Sequence, residues 1–202
     1  MSIEFIKKWI KAPCNDGNKS PYLLCPVDMD VLHALYPPLS KNQAKELFKS
    51  VAKVKQDATD AVAPYKSFLA ETNGAELYGG SVVLFGYVAN GVVGNEDGLP
   101  ASLLDQNATD AVSKVSAQVL YVGNAFFSAK KNIHFYLNLI SGLVAGAVDG
   151  QIVIQWPNFD AFLKHVQQAY DSNYSTETGR HLLYNQREKG VMNNIQFFGL
   201  NT

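Results

Sequence analysis

The sequence predicts an α+β fold, a mostly antiparallel β-sheet flanked by helices. Two helical patterns come first, strand patterns rich in β-branched and aromatic residues follow beyond Gly80, and a helical pattern closes the order. Regular alternation of strands and helices is absent, and a parallel, nucleotide-binding sheet requires that alternation. With 202 residues, the chain has the length of one domain with appendages.

The composition is typical of a folded chain that binds neither nucleic acid nor membrane. Charged residues make up only 17% of the sequence, which argues against disorder. The formal net charge is −1, whereas nucleic-acid-binding domains usually carry a strong basic excess. No secretory signal opens the sequence, and the longest apolar stretch, Ile133–Val148, is shorter than the roughly 20 residues that cross a bilayer. We therefore expect a cytoplasmic protein.

Charge is distributed unevenly along the chain. Residues 56–110 hold one lysine and eight acids, a net charge of −7. The acids of this segment are Asp57, Asp60, Glu71, Glu76, Glu96, Asp97, Asp105 and Asp110. A negative face of this kind complements a basic partner. The alternative is an ordinary solvated surface, since scattered carboxylates are common on protein surfaces.

The sequence divides into three regions. Residues 1–39 are predicted as an N-terminal amphipathic helix over 3–11 and a proline-rich connector, with a brief helical turn over 28–36. Residues 40–170 form the α+β domain. Residues 171–202 are a C-terminal extension that packs on the domain or trails from it.

Capping residues mark the helices of the domain. Ser40 and Gln43 form a capping box, and the helix behind them is predicted to run to about Asp57. Pro64 suits the first turn of a second helix, which ends at Asn73-Gly74. Asn158 caps the last helix. The inward positions of these three helices are Ala44, Leu47, Phe48, Val51, Val54, Tyr65, Phe68, Leu69, Phe159, Phe162, Leu163 and Val166.

Strand patterns fill the middle of the chain. We predict strands over residues 81–87, 119–122, 133–140 and 151–155, because these segments are rich in β-branched and aromatic residues between turn signals. Residues 89–98 are predicted as a loop, since they combine glycine, asparagine and acids. Residues 99–104 lead into a helix or a turn.

No constellation of residues predicts catalysis or a metal site. The histidines His33, His134, His165 and His181 lie at no metal-binding spacing, and Cys14 and Cys25 lack the second pair of a zinc site. Nucleophile-elbow and phosphate-loop motifs are absent. We therefore predict no catalytic residues, no metal and no cofactor, and we interpret His134 as a core or rim side chain. An enzyme with an unrecognised site stays as a third hypothesis.

Four motifs in order resemble the SUKH superfamily, which includes a yeast cell-wall-synthesis regulator and many bacterial immunity proteins. The first runs from Pro64 through Asn73-Gly74 to Gly79-Gly80 and into Leu84-Phe85-Gly86-Tyr87. Residues 99–107 resemble the family's loop and short leucine-rich element, Tyr121–Asn124 its next strand, and residues 156–163 its closing helix. The likeness implies a SUKH-like α+β domain over about residues 40–170, and the segments 12–40 and 172–202 depart from it.

The resemblance implies a non-enzymatic protein-binding domain. The favoured expectation is an immunity protein that blocks a cognate bacterial toxin, such as a basic nuclease, by occlusion; the alternative is a regulatory scaffold of the yeast type. Because the acidic segment suits a basic partner, the expected contacts are Glu76, Tyr78, Glu96, Asp97 and Asp105, with Tyr87 as an aromatic anchor. The residues of this segment also serve the fold, since Phe68, Leu77 and Phe85 are expected in the core.

Overall fold

The computed structural model describes residues 12–13, 23–25, 33–77, 82–89, 99–108, 116–128 and 131–171. The described helices are α1 (Lys41–Val51), α2 (Ala63–Glu71), α3 (Leu103–Ala108) and α4 (Phe159–Asp171), and a 3₁₀ turn (Asp60–Val62) precedes α2. The described strands are β1 (Ala12–Pro13), β2 (Leu23–Cys25), β3 (His33–Leu35), β4 (Ala75–Leu77), β5 (Val82–Leu84), β6 (Val119–Ser128), β7 (Lys131–Asn138), β8 (Val144–Val148) and β9 (Gln151–Trp156).

The strands form one sheet in which every strand pairs with its neighbour in the chain. All eight pairings between β1 and β9 are antiparallel. Helices α1 and α2 lie between β3 and β4 in the chain, α3 lies between β5 and β6, and α4 follows β9. The predicted fold class, a mostly antiparallel sheet flanked by helices, is therefore confirmed.

Burial alternates along β7 and divides the sheet into two faces. Ile133, Phe135 and Leu137 have no exposed surface, whereas His134 and Tyr136 between them are half-buried. Because successive side chains of a strand point to opposite faces, one face carries the core and the other does not. All four described helices contribute side chains to the core of this covered face.

Aromatic rings fill the space between the helices and the covered face. Phe135 of β7 lies 4.7 Å from Phe162 of α4 between ring centroids, and Trp156 of β9 lies 5.0 Å from the same ring. Tyr65 of α2 contacts Phe159 of α4 edge-on at 4.8 Å. Ring pairs at these distances add to the burial of large apolar areas, so this cluster fixes α2 and α4 against the sheet.

The ends of the first two helices follow their capping residues. Both hydrogen bonds of the predicted capping box at Ser40 are present. Helix α1 ends at Val51, six residues before the predicted end at Asp57, because a turn follows its C-cap at Ala52. Val54, predicted to point inward, is 62% exposed in that turn. The predicted stop after α2 is confirmed, and Gly74 has the left-handed φ of 83° that glycine tolerates.

The connector before α1 contributes strands. Instead of the predicted helical turn, residues 33–35 form β3, whose Leu35 pairs with Ala75 of β4. Leu35 is buried in the core, so the segment is more stable as a strand of the sheet than as an isolated helical turn. Residues 28–32, the predicted helix 3–11, the loop 90–98 and the extension 172–202 lie outside the described residues.

The strands of the domain differ in length from the predicted ones. β6 extends to Ser128, and β5 ends at Leu84, although Gly86 makes an isolated bridge to Ser102. β4 and β8 are not among the predicted strands. Both are short, and β8 consists of small apolar residues, Val-Ala-Gly-Ala-Val, which lack the bulky β-branched pattern that indicates a strand.

Candidate functional site

The side of the sheet opposite the covered face carries a continuous row of side chains across six strands. Several residues on this side, such as Tyr121 and Ala147, are nevertheless buried. Cross-strand partners share a face, and the registers link Glu76, Val83, Asn124, His134, Ala147 and Ile152 from β4 to β9. A second row links Tyr121, Tyr136, Ala145 and Gln155 from β6 to β9. We call these ten residues the open face. With neighbouring strands about 4.8 Å apart, the first row spans roughly 24 Å.

A hydrogen-bonded cluster holds the middle of the open face. The hydroxyl of Tyr121 lies 2.7 Å from Nδ1 of His134, and Nδ2 of Asn124 donates to that hydroxyl at 3.2 Å. The hydroxyl oxygen of Tyr121 accepts from Asn124, and the tautomer of the His134 ring decides whether Nδ1 donates to that oxygen or accepts the hydroxyl proton. The centroid of the Tyr136 ring lies 5.4 Å from that of the Tyr121 ring, so Tyr136 packs against one side of the cluster.

Burial controls the titration of this cluster. It lowers the pKa of His134, and the charge of Asp149 opposes that effect. Burial also raises the pKa of Tyr121 to about 12. Both side chains are therefore neutral at pH 7. The cluster therefore places uncharged hydrogen-bonding groups at the middle of the open face.

Asn107 of α3 hydrogen-bonds to the main chain of Tyr121, the central residue of this cluster. Its Oδ1 accepts from the N–H of Tyr121 at 2.9 Å, and its Nδ2 donates to the carbonyl of the same residue at 2.8 Å. The pairing of β5 with β6 ends at Leu84 and Gly123, so Tyr121 has no partner residue on β5. The side-chain amide of Asn107 takes the place of that partner. Tyr121 is held in place from its main chain as well as its side chain.

A shallow groove of about 320 Å³ lies over β8 on the open face. Ala145 and Ala147 form its floor, Tyr136 and Ile152 flank it on the neighbouring strands, and Gln155 adds an amide. The floor is low because both β8 residues on this face are alanines, whereas the strands on either side carry larger side chains. The remaining lining residues are Val119, Asn138, Leu143 and Gly150.

Two apolar side chains at the groove are exposed to solvent. Ile152 is 61% exposed and Val153 is 39% exposed. The register shift between β8 and β9 leaves Val153 as an extra residue, because Ala147 pairs with Ile152 and Gly146 with Ile154. Bulges of this kind re-aim side chains at a sheet edge. Neighbouring exposed apolar residues next to a concave surface are typical of an interaction site.

A tight turn closes the groove at one end. Asp149 and Gly150 connect Val148 to Gln151, and both have positive φ, 51° and 78°. Asp-Gly with two left-handed residues is typical of the type I′ turn that suits the twist of a hairpin. The exposed carboxylate of Asp149 is thus placed beside a lining residue of the groove.

The structure places the six expected contact residues in different environments. Glu76 lies on the open face, where Oε1 accepts from the hydroxyl of Tyr36 at 3.0 Å. Tyr87 lies apart from it, with its hydroxyl 3.4 Å from Oε2 of Glu46 on α1. Asp105 is exposed in the first turn of α3. Tyr78, Glu96 and Asp97 lie outside the described residues. Of the six, the described part of the chain brings only Glu76 onto the open face.

The centre of this surface is not predicted by sequence reasoning. Tyr121, Tyr136, Ile152 and the groove are absent from the predicted site, and the interpretation of His134 as a core or rim side chain fits its half-buried position. The signal that points to them is the strict alternation Ile-His-Phe-Tyr-Leu-Asn over residues 133–138. This alternation by itself separates the two faces of β7.

Comparisons with family models, with curated proteins and with solved structures found no match to this chain. Within the described ranges, no three His, Cys, Asp or Glu side chains are grouped as metal ligands are. In the same ranges, none of the helices combines the length and apolar character of a membrane span. What the open face can bind therefore has to follow from its own geometry.

Proposed function

We propose that this chain is a non-enzymatic protein-binding domain, an immunity protein that neutralises a cognate bacterial toxin by covering the toxin's functional surface. The open face of the sheet is the docking surface. The single observation that carries the proposal is the groove over β8 with Ile152 and Val153 exposed beside it. Partner-binding surfaces combine such apolar anchors with a polar surround.

The shape of the open face supports a macromolecular partner. Its first row extends across six strands, and it mixes aromatic, aliphatic and neutral polar side chains. The hydrogen bonds of Tyr121 and the sheet beneath hold these groups in one geometry. Because little ordering is needed on binding, less free energy is lost when the partner docks.

The charge pattern supports a basic partner. Glu76 lies at one end of the first row, and Asp149 adjoins the groove at the other end. The lysines whose side chains are described lie on α1, α2, α4 and the turn after α1, at Lys41, Lys45, Lys49, Lys53, Lys55, Lys66 and Lys164. Glu76 and Asp149 therefore lie on or beside the open face, where none of these lysines lies, whereas the helices carry acids as well as lysines, among them Glu46, Glu71 and Asp160. Complementary charge of this kind accelerates encounter with a basic toxin such as a nuclease.

The resemblance to the SUKH superfamily supplies the biological setting of the proposal. It names immunity to a toxin domain as the favoured role in the cytoplasm of a bacterium. A regulatory scaffold that binds a cellular partner is the second candidate, and it uses the same open face. The gene neighbourhood separates the two roles, since an immunity gene is expected to lie directly beside a large toxin gene.

Co-expression with the product of the neighbouring gene tests the proposal. We expect the intact chain to co-purify with the toxin domain and to restore growth of cells that express it. Active toxin in the presence of this chain, together with no co-purification, would refute immunity. Co-purification with a protein that is harmless to the cell would favour the scaffold instead.

The acidic residues Glu96 and Asp97 remain predicted contacts. Replacing both with lysine (E96K/D97K) is expected to weaken toxin binding and to leave the melting temperature almost unchanged, because reversed charges at these positions repel a basic partner. Isothermal titration calorimetry and thermal unfolding measure the two quantities. An unaltered affinity would remove these two residues from the interface and leave the open face as the docking surface.

A further inference from the structure

We infer that the groove over β8 is a socket for an arginine side chain of the partner. The inference rests on the proposed function, because it names the chemical group through which a basic protein engages the open face. It follows from the apolar floor and the aromatic wall of the groove, and from the carboxylate of Asp149 in the turn beside its lining residue Gly150.

The floor and wall suit the two parts of an arginine side chain. Ala145 and Ala147 form a smooth apolar floor against which the methylene stem can lie, as long cationic side chains commonly lie along apolar surface. Tyr136 lines the groove with a half-buried ring. A guanidinium group is planar and weakly hydrated, and it stacks on aromatic rings more readily than an ammonium group does.

The polar groups of the groove suit the guanidinium donors. Gln155 lines the groove with an exposed side-chain amide, whose oxygen accepts hydrogen bonds, whereas Oδ1 of Asn138 already accepts from the N–H groups of Ile140 and Ser141. Arginine offers five N–H donors and no acceptor. At its end, the groove reaches Gly150, and Asp149 precedes this glycine in the turn. The charge of Asp149 also acts on His134 of the open face, so its field extends over the surface that the partner approaches.

The size of the groove also fits a single side chain. Its volume of about 320 Å³ lies at the lower end of the roughly 300–1,000 Å³ that small-molecule sites occupy. Arginine is enriched among interface residues and among those that carry most of the binding energy. One arginine in the socket therefore provides both an anchor and a charge match.

Nuclear magnetic resonance on the ¹⁵N-labelled full chain tests the socket without the partner. The probes are N-acetyl-arginine N-methylamide and its citrulline analogue, which has nearly the same shape but no charge. We expect the arginine compound to shift the amide resonances of Tyr136, Gly150 and Gln155, with a dissociation constant on the order of millimolar. The citrulline analogue is expected to bind roughly fivefold more weakly, because it lacks the charge attraction.

Three variants localise the effect. Asp149→Asn keeps the turn, since asparagine tolerates positive φ, and is expected to reduce arginine binding to the citrulline level. Glu76→Gln is the matched control, which removes one carboxylate from the far end of the open face, and it is expected to leave binding unchanged. Ala147→Leu fills the floor and is expected to abolish the shifts caused by both probes, while thermal unfolding confirms that the variant is folded.

Three results would overturn the inference: equal binding of arginine and citrulline compounds, equal loss in Glu76→Gln and Asp149→Asn, or no shift at the groove with either probe. None of these results bears on co-purification with the toxin, which tests the proposed function by itself. A toxin that still binds a chain whose groove rejects arginine would leave the docking surface in place and remove only the socket.

Discussion

Two buried tyrosines differ in what their hydroxyl groups contribute to stability. Tyr65 is fully buried and its hydroxyl has no hydrogen-bond partner among the described residues, whereas the hydroxyl of Tyr36 donates to Glu76. Burial raises the pKa of both side chains, and for Tyr36 the neighbouring Glu76 raises it further. The first hydroxyl is therefore destabilising and the second is satisfied.

Replacing each tyrosine with phenylalanine tests this difference. Tyr65→Phe is expected to raise the free energy of unfolding by about 1 kcal/mol, because it removes a buried polar group without a partner among the described residues. Tyr36→Phe is expected to lower the same quantity by about 1 kcal/mol, since it removes a hydrogen bond to a carboxylate. Urea unfolding measures both. A loss of stability in Tyr65→Phe would show that its hydroxyl has a partner.

His134 makes stability depend on pH. Burial lowers its pKa in the folded chain below the ordinary value of 6.5, with the charge of Asp149 opposing this effect and the hydroxyl of Tyr121 lying 2.7 Å from Nδ1. The unfolded chain therefore binds the proton more readily, and stability falls as the pH drops below about 6.5. Burial also lowers the pKa of His165 on α4, so the two histidines act in the same direction.

An uncharged substitution measures how much His134 contributes to the pH dependence of stability. His134→Gln is expected to lose less stability than the unaltered chain between pH 7 and pH 5, because it removes one group that takes up a proton on unfolding. Urea unfolding at a series of pH values gives the slope. Parallel slopes for the variant and the unaltered chain would show that His134 does not contribute.

At the scale of elements, α3 holds the main chain of β6 through one polar side chain. Asn107 bonds to both main-chain groups of Tyr121 at a buried site. Asn107→Ala is expected to lower the free energy of unfolding by about 2–4 kcal/mol, because two buried main-chain groups lose their partner. Asn132→Ala, at an exposed position of β7, is the matched control and is expected to stay within about 0.5 kcal/mol.

Chemical unfolding of the two variants at equal protein concentration provides the comparison. A cost at Asn107 no larger than that at Asn132 would mean that water or another group satisfies the main chain of Tyr121. It would also remove α3 as the element that positions the centre of the open face.

The sequence predicts the elements that local chemistry determines. Ser40, Pro64, Gly74 and Asn158 act within a few residues of their own position, and the structure confirms the cap at Ser40, the proline-led start and the glycine stop of α2, and the cap at Asn158. β3 is not predicted, because its pairing partner Ala75 lies forty residues away from Leu35 in the sequence. No local pattern indicates a strand that depends on so distant a neighbour.

The candidate site is less predictable than the fold, because it also depends on pairing between residues that are far apart in the sequence. The first row of the open face runs through five successive strand pairings, so Glu76 and Ile152 belong to one surface only after every register is known. The acidic segment is visible from composition alone, yet Tyr87 is directed to Glu46 on α1 and not to Glu76. Charge along a chain does not indicate which face a side chain occupies.

For the whole molecule, the proposed function would place stability and recognition on opposite sides of one sheet. The covered face holds the helices through apolar burial, whereas positions of the open face such as Ile152 add little to that burial. Changes at exposed positions of the open face are therefore expected to affect binding much more than folding. Changes such as Phe162→Ala in the core are expected to lower stability by about 3–5 kcal/mol.

The most direct test compares lysine at two equally exposed apolar positions. Ile152 is 61% exposed on the open face, and Val54 is 62% exposed in the turn after α1. Isothermal titration calorimetry with the toxin domain is expected to show that Ile152→Lys weakens binding by about 30-fold or more, as loss of a central anchor does, while Val54→Lys binds like the unaltered chain. Equal affinities for the two variants, both folded, would contradict docking at the open face.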